Sequence, residues 1–160
     1  MSAYAAAKPP KAASCVAAPH IIAVRVYYED TDFSGSVYHA SYLRFLERGR
    51  TEFLRTLGIG HRELFAGGGN GGFHFAVRSM TIEFLRPALM DDELAVETCV
   101  SALSGASIEM RQEITRGEQV LLTADVRIAI VAGGKARRLP PEILVKLKPC
   151  TLTPIETKRM

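Results

Sequence analysis

Residues 29–39 read "EDTDFSGSVYH": three carboxylates, two serines, a glycine and a histidine in one short loop. Two kinds of chemistry suit that inventory. Asp and Ser just ahead of a helix cap its unpartnered N–H groups, and acidic residues favour the positive end of its dipole. Glu29 and Asp30 read this way, and Ser34 and Ser36 read as caps or turn formers. Asp32 has different surroundings. Gly35 lets backbone approach a ligand closely. The N–H groups around Tyr38 and His39, where a long helix should begin, have no intrahelical acceptor. Such donors can hold a developing oxyanion. A carboxylate beside them can attack an acyl carbon or activate a water. The competing reading of His39 is a satisfied histidine at a helix start.

The rest of the chain narrows the acyl group. No G-x-S-x-G elbow occurs. The histidines are His20, His39, His61 and His74, and none lies in an H-E-x-x-H pattern. A site with neither triad nor metal suits a good leaving group. A thiol of pKa roughly 8.5 departs as thiolate with little protonation, whereas an alkoxide or amine needs more help. Thioesters are therefore the expected target.

The elements that must position these residues follow from periodicity. Ile21 to Tyr28, "IIAVRVYY", is rich in β-branched and aromatic residues and predicts a strand. From Tyr38 to Leu57 the pattern turns helical, with Tyr42, Leu46, Gly49, Phe53 and Leu57 on one stripe. Arg44, Glu47, Arg48, Arg50, Glu52 and Arg55 fill the remaining surface. Gly49 within the stripe implies close approach to whatever the helix packs on. Gly58 is a natural stop. The run "GGGNGG", Gly67 to Gly72, reads as a mobile connection, and no Lys-Ser/Thr follows to make it a phosphate loop. Four long alternating segments come next, 73–86, 94–102, 108–114 and 120–130, separated by short turns. That is an antiparallel meander with one apolar face. A short helix after Pro140-Pro141 is expected in the basic tail. The economical arrangement is α+β: a curved antiparallel sheet of about five strands wrapped around one long helix. Its free edges invite a second copy.

Composition bounds the function. The 160 residues suffice for one domain with a real core, and 48% are hydrophobic. Residues 1–20 read as a disordered leader, 21–148 as the domain, and 149–160 as a flexible tail. A net charge of +3 gives no strong basic stripe for nucleic acid. No apolar run approaches the ~18 residues of a membrane-spanning helix. The scattered cysteines, Cys15, Cys99 and Cys150, suggest neither a disulfide framework nor zinc, and fit a reducing compartment. Cys99 reads as a small packed hydrophobe.

The stretch "VRVYYEDTDFSGSVYHASYLRFLERGRTEFLR" resembles the signature of hotdog-fold acyl-CoA thioesterases. It is most similar to the YbgC branch of the 4-hydroxybenzoyl-CoA thioesterase family, which is associated with the Tol-Pal system. "FAVRSMTIEFLRPALMDDEL" and the later strands continue the likeness, which covers roughly residues 22–140. The resemblance implies the hotdog fold, and dimers or tetramers with sites at the subunit interface. It places the catalytic carboxylate on Asp32 and the oxyanion N–H on His39, whose side chain would also assist. Tyr28, Phe33, Gly35, Tyr38 and Glu47 would line the substrate site. Glu47 enters because a related branch uses a helix carboxylate. The chain departs from the motif at Phe33, Ser34 and Ser36, where the branch has small residues and Gly-Gly-Val; only Gly35 is kept. Bulky Phe33 would reshape the acyl pocket.

The expected activity is cytoplasmic hydrolysis of acyl-CoA, or of an acyl carrier protein thioester, with no cofactor beyond the coenzyme A of the substrate. Rival readings are a hydratase or dehydratase of enoyl or hydroxyacyl thioesters, and a non-catalytic acyl-thioester-binding partner of envelope machinery. Lys135, Arg137 and Arg138 read as a solvated basic tail, with contact to coenzyme A phosphates as the alternative.

Overall fold

The computed structural model describes residues 18–66 and 72–151. Most of the leader, the glycine run 67–71 and the tail from 152 lie outside the described residues. Five long strands form one antiparallel sheet in the order β1-β3-β4-β5-β2: β1 His20–Arg25, β2 His74–Phe84, β3 Glu93–Leu103, β4 Ser107–Arg116 and β5 Gln119–Ala132. A two-residue strand, β6 Lys135–Ala136, folds back on the end of β5. The alternation seen in the sequence sets the faces. Val96, Thr98 and Val100 of β3 and Met110, Gln112 and Ile114 of β4 point inward and are buried. Glu109, Arg111, Asp125 and Arg127 occupy the outer face, where Arg111 pairs with Asp125 and Arg127 with Glu109. Register shifts at Val77/Ser79, Val100/Ala102 and Ile114/Thr115 bend the strands. Bulges of this kind raise local twist and curl a sheet.

The curl wraps around α1, His39–Thr56. Tyr42, Phe45, Leu46, Phe53 and Leu54 bury its apolar stripe. Gly49 permits close packing. A Cβ there would lie 2.8 Å from Val96 Cγ1 and 2.9 Å from Thr98 Oγ1. The helix stops at Gly58, which adopts φ +69°. Its N–H donates to Arg55 O and that of Ile59 to Leu54 O, a Schellman closure with Ile59 buried behind it.

Several expectations are corrected. The first strand ends at Arg25 rather than Tyr28. The Asp30 carboxylate accepts the Tyr27 N–H at 2.9 Å and closes a 3-10 turn over Tyr28–Asp30. Arg50 is no surface residue: it is 7% exposed and donates to Gln112 Oε1 at 2.9 Å. Cys99 is disulfide-bonded, against the expectation that no cysteine pairs. Two elements were not foreseen, β6 and the short α2, His61–Ala66. The helix after Pro140 is α3, Pro141–Leu147, with Ile143 and Leu147 buried.

Candidate active site

Asp32 sits at the tip of a tight hairpin. Thr31 and Val37 form an antiparallel bridge, and Asp32 N–H donates to Ser36 O at 2.9 Å. The turn closes with Gly35 N–H donating to Asp32 O at 3.0 Å. Gly35 has φ +79°, a left-handed conformation that favours glycine, and open space where a Cβ would stand. Its local need is therefore the turn.

The hairpin is pinned from behind. Val37 N–H donates to Ala88 O at 2.9 Å, and Ser36 bridges Leu89. Ala88 N–H in turn donates to the buried Tyr42 hydroxyl at 2.8 Å. Tyr38 N–H donates to Asp30 O at 2.8 Å, which sets the angle at which the chain enters α1. The segment after β2 thus joins helix and hairpin into one unit. In the sequence Tyr42 reads only as a stripe residue, and Ala88 carries no signal beyond the strand stop at Pro87.

Tyr38 is the residue before the helix, in extended conformation, and offers no side-chain cap. His39 is the first helical residue. Among the described residues, no acceptor meets the N–H of His39 or Ala40. Donors with no partner inside the protein are free for a substrate oxygen. The Tyr38 ring rests against the His39 imidazole, centroids 4.2 Å apart.

The Asp32 carboxylate is exposed and held below its ordinary range. The Ser34 hydroxyl lowers it most, then the Ser34 N–H, against a smaller upward push from desolvation. His39 adds a further lowering through its charge, so the structure brings carboxylate and helix start into electrostatic reach. Tyr28 and Phe33 are exposed, Phe33 completely. Glu47 is not brought to this cluster. It lies two helical turns on, about 12 Å along the axis from His39, and accepts from Thr51 Oγ1 at 2.6 Å. With Thr51, Arg55, His61 and Arg62 it lines a separate groove of about 510 Å³. Asp30, read as a cap for the long helix, is buried and instead closes the Tyr28–Asp30 turn, while α1 receives no side-chain cap.

Asp32 is exposed in the hairpin that leads into α1, the helix that the curled sheet wraps. Residues 26–147 match the family model of the thioesterase-like superfamily. An acyl-CoA thioesterase YbgC of Haemophilus influenzae is 45% identical over 114 residues, covering 71% of this chain and 82% of the relative. An acyl-CoA thioester hydrolase YbgC of Escherichia coli is 42% identical over 128 residues, covering 78% and 92%. A solved structure from Bartonella henselae, described as a "Probable Thioesterase", superposes with a TM-score of 0.74 at 50% identity, covering 77% of this chain and all of that one. The chain belongs to the thioesterase-like superfamily and has its hotdog fold.

Proposed function

We propose that the protein hydrolyses the thioester of an acyl-CoA, with Asp32 as nucleophile or general base and the His39 N–H as oxyanion donor. The observation that carries this reading is the exposed, ionised Asp32, on which the His39 charge acts, in the hairpin that leads into α1, where among the described residues the His39 N–H has no acceptor. As base, Asp32 takes a proton from water while the water oxygen bonds to the acyl carbon. As nucleophile, its own oxygen forms that bond and water then hydrolyses the anhydride. In either mode the carbonyl oxygen becomes an oxyanion at the His39 N–H. The carbon–sulfur bond breaks, and the thiolate leaves and takes up a proton. The family and the names of its YbgC relatives support the substrate class. The cytoplasmic location belongs to the same reading and rests on the substrate.

A second copy of the chain completes this picture. Among the described residues β2 pairs only with β5, so its other edge is free, with Val77 and Phe84 exposed along it. Phe84 packs on Tyr42 at 5.7 Å, so the edge runs into the unit that pins the Asp32 hairpin. Edge-to-edge pairing there would cover this apolar surface beside the site. The decisive measurement is thiol release from a panel of acyl-CoAs by the wild type and Asp32→Asn. Loss of about 10²–10⁴-fold in kcat at unchanged melting temperature supports the assignment. An Asn variant with most of its activity rejects it.

A further inference from the structure

We propose that Ser34 is a positioning residue that clamps one oxygen of the Asp32 carboxylate and leaves the other to face the substrate. This rests on the assignment of Asp32 above. The Ser34 hydroxyl donates to Asp32 Oδ1 at 2.6 Å, and the Ser34 N–H donates to the same atom at 2.8 Å. Among the described residues no hydrogen bond reaches Oδ2. The two oxygens are therefore unequal. Two donors from one residue fix the carboxylate's rotation and occupy Oδ1, so Oδ2 presents its lone pairs outward. The clamp itself is held, because the Ser36 N–H donates to Ser34 Oγ at 3.3 Å and orients the hydroxyl towards Asp32. Hydrogen bonds to an ionised carboxylate are among the stronger ones and stabilise its charged form. The geometry thus exchanges some basicity of Asp32 for a fixed direction of attack.

The other charged groups around the hairpin leave this role to Ser34. His39 is the one whose charge acts on Asp32. The Asp30 carboxylate is engaged by the Tyr27 N–H. On the strap behind the hairpin, Arg86 donates to Val120 O, and Asp92 is taken by the Leu89 N–H and Arg116. Ser34 has no positive φ, so Ala is accommodated there without backbone strain.

The test uses the full-length protein, with Ser34→Ala to remove the hydroxyl and Ser34→Thr to restore it. Two readouts are taken: the pH profile of kcat/KM on acyl-CoA, and the side-chain carboxyl titration of Asp32 followed by carbon-13 NMR. The expected result for Ser34→Ala is an acid limb and an Asp32 titration both displaced to higher pH. Plateau kcat falls several-fold while KM holds, and Ser34→Thr returns all three towards wild type. An Asp32 titration that does not move in Ser34→Ala overturns the proposal. So does a kcat loss that Thr fails to rescue and that tracks a lowered melting temperature. If the wild type hydrolyses no acyl-CoA, the functional reading fails, and the NMR titration still decides whether Ser34 clamps Asp32.

Discussion

The oxyanion donor assigned to His39 is a backbone group, and that separates two contributions that a histidine usually confounds. His39→Ala keeps the N–H at the start of α1 and removes the imidazole. It should therefore cost less in kcat than Asp32→Asn, and it should also raise the Asp32 titration, since His39 helps hold that carboxylate down. Equal losses in the two variants would move the imidazole to the centre of the mechanism. Tyr42 is the residue whose importance only the fold reveals. Tyr42→Phe leaves the buried Ala88 N–H without its acceptor. An unmet buried donor costs about 1–3 kcal/mol. Because Ala88 also holds Val37, thiol release should fall along with thermal stability.

At the scale of elements, the height of α1 on the sheet is set by a buried polar row. Gln112 donates to both Leu46 O and Thr98 Oγ1 at 2.9 Å and accepts from Arg50, directly beneath Gly49. Gly49→Ala drives a methyl against stiff β-branched Val96 and Thr98. Overpacking of this kind costs about 1–3 kcal/mol, partly offset by about 1 kcal/mol of helix propensity. Chemical denaturation should show a net loss. Gln112→Leu should cost more, several kcal/mol, because it takes the partner from the Thr98 hydroxyl and the buried Arg50 guanidinium at once. A sequence reader sees Gly49 and infers closeness. That Arg50 turns inward was not legible, since a charged residue at a stripe's border faces water unless a partner strand offers an acceptor. The acceptor, Gln112, lies 62 positions away. Strand alternation made the sheet readable from residue 73 to 130, whereas α2 is too short to carry a periodic signal.

The whole molecule responds to pH through carboxylates whose surroundings shift them in opposite directions. Glu97 and Glu113 stand opposite each other on β3 and β4. Burial, then the charge of Glu113, pushes the Glu97 carboxyl above its ordinary range. A carboxyl whose pKa is higher in the folded state contributes stability below its unfolded value, 4.5, and loses it as pH rises through the folded value. Glu113→Gln should therefore raise the melting temperature at about pH 7, and the gain should shrink at about pH 4. Asp92 works in the opposite sense. Burial raises it, but the Leu89 N–H and Arg116 together bring it below its ordinary range. Its contribution is lost as pH falls through that lowered value. Pairing of two copies through the β2 edge that is unpaired among the described residues, as proposed above, predicts that Val77→Lys halves the solution mass seen by light scattering.

What the sequence determined by itself was local: the helix from its stripe and glycine stop, the meander from its alternation, and an irregular acidic loop between first strand and helix from its Asp, Gly and Ser. These depend on contacts within a few residues, so composition and period report them. The tertiary structure decided which of the loop's groups are brought near one another. It buried Asp30 as a cap of the Tyr28–Asp30 turn, left Glu47 about two turns away along the helix, and used Ala88 and Tyr42, far apart in sequence, to pin the hairpin that carries Asp32 to the helix. It also placed both Ser34 donors on a single oxygen. Such facts depend on direction and on distant partners, and spacing along a chain carries neither.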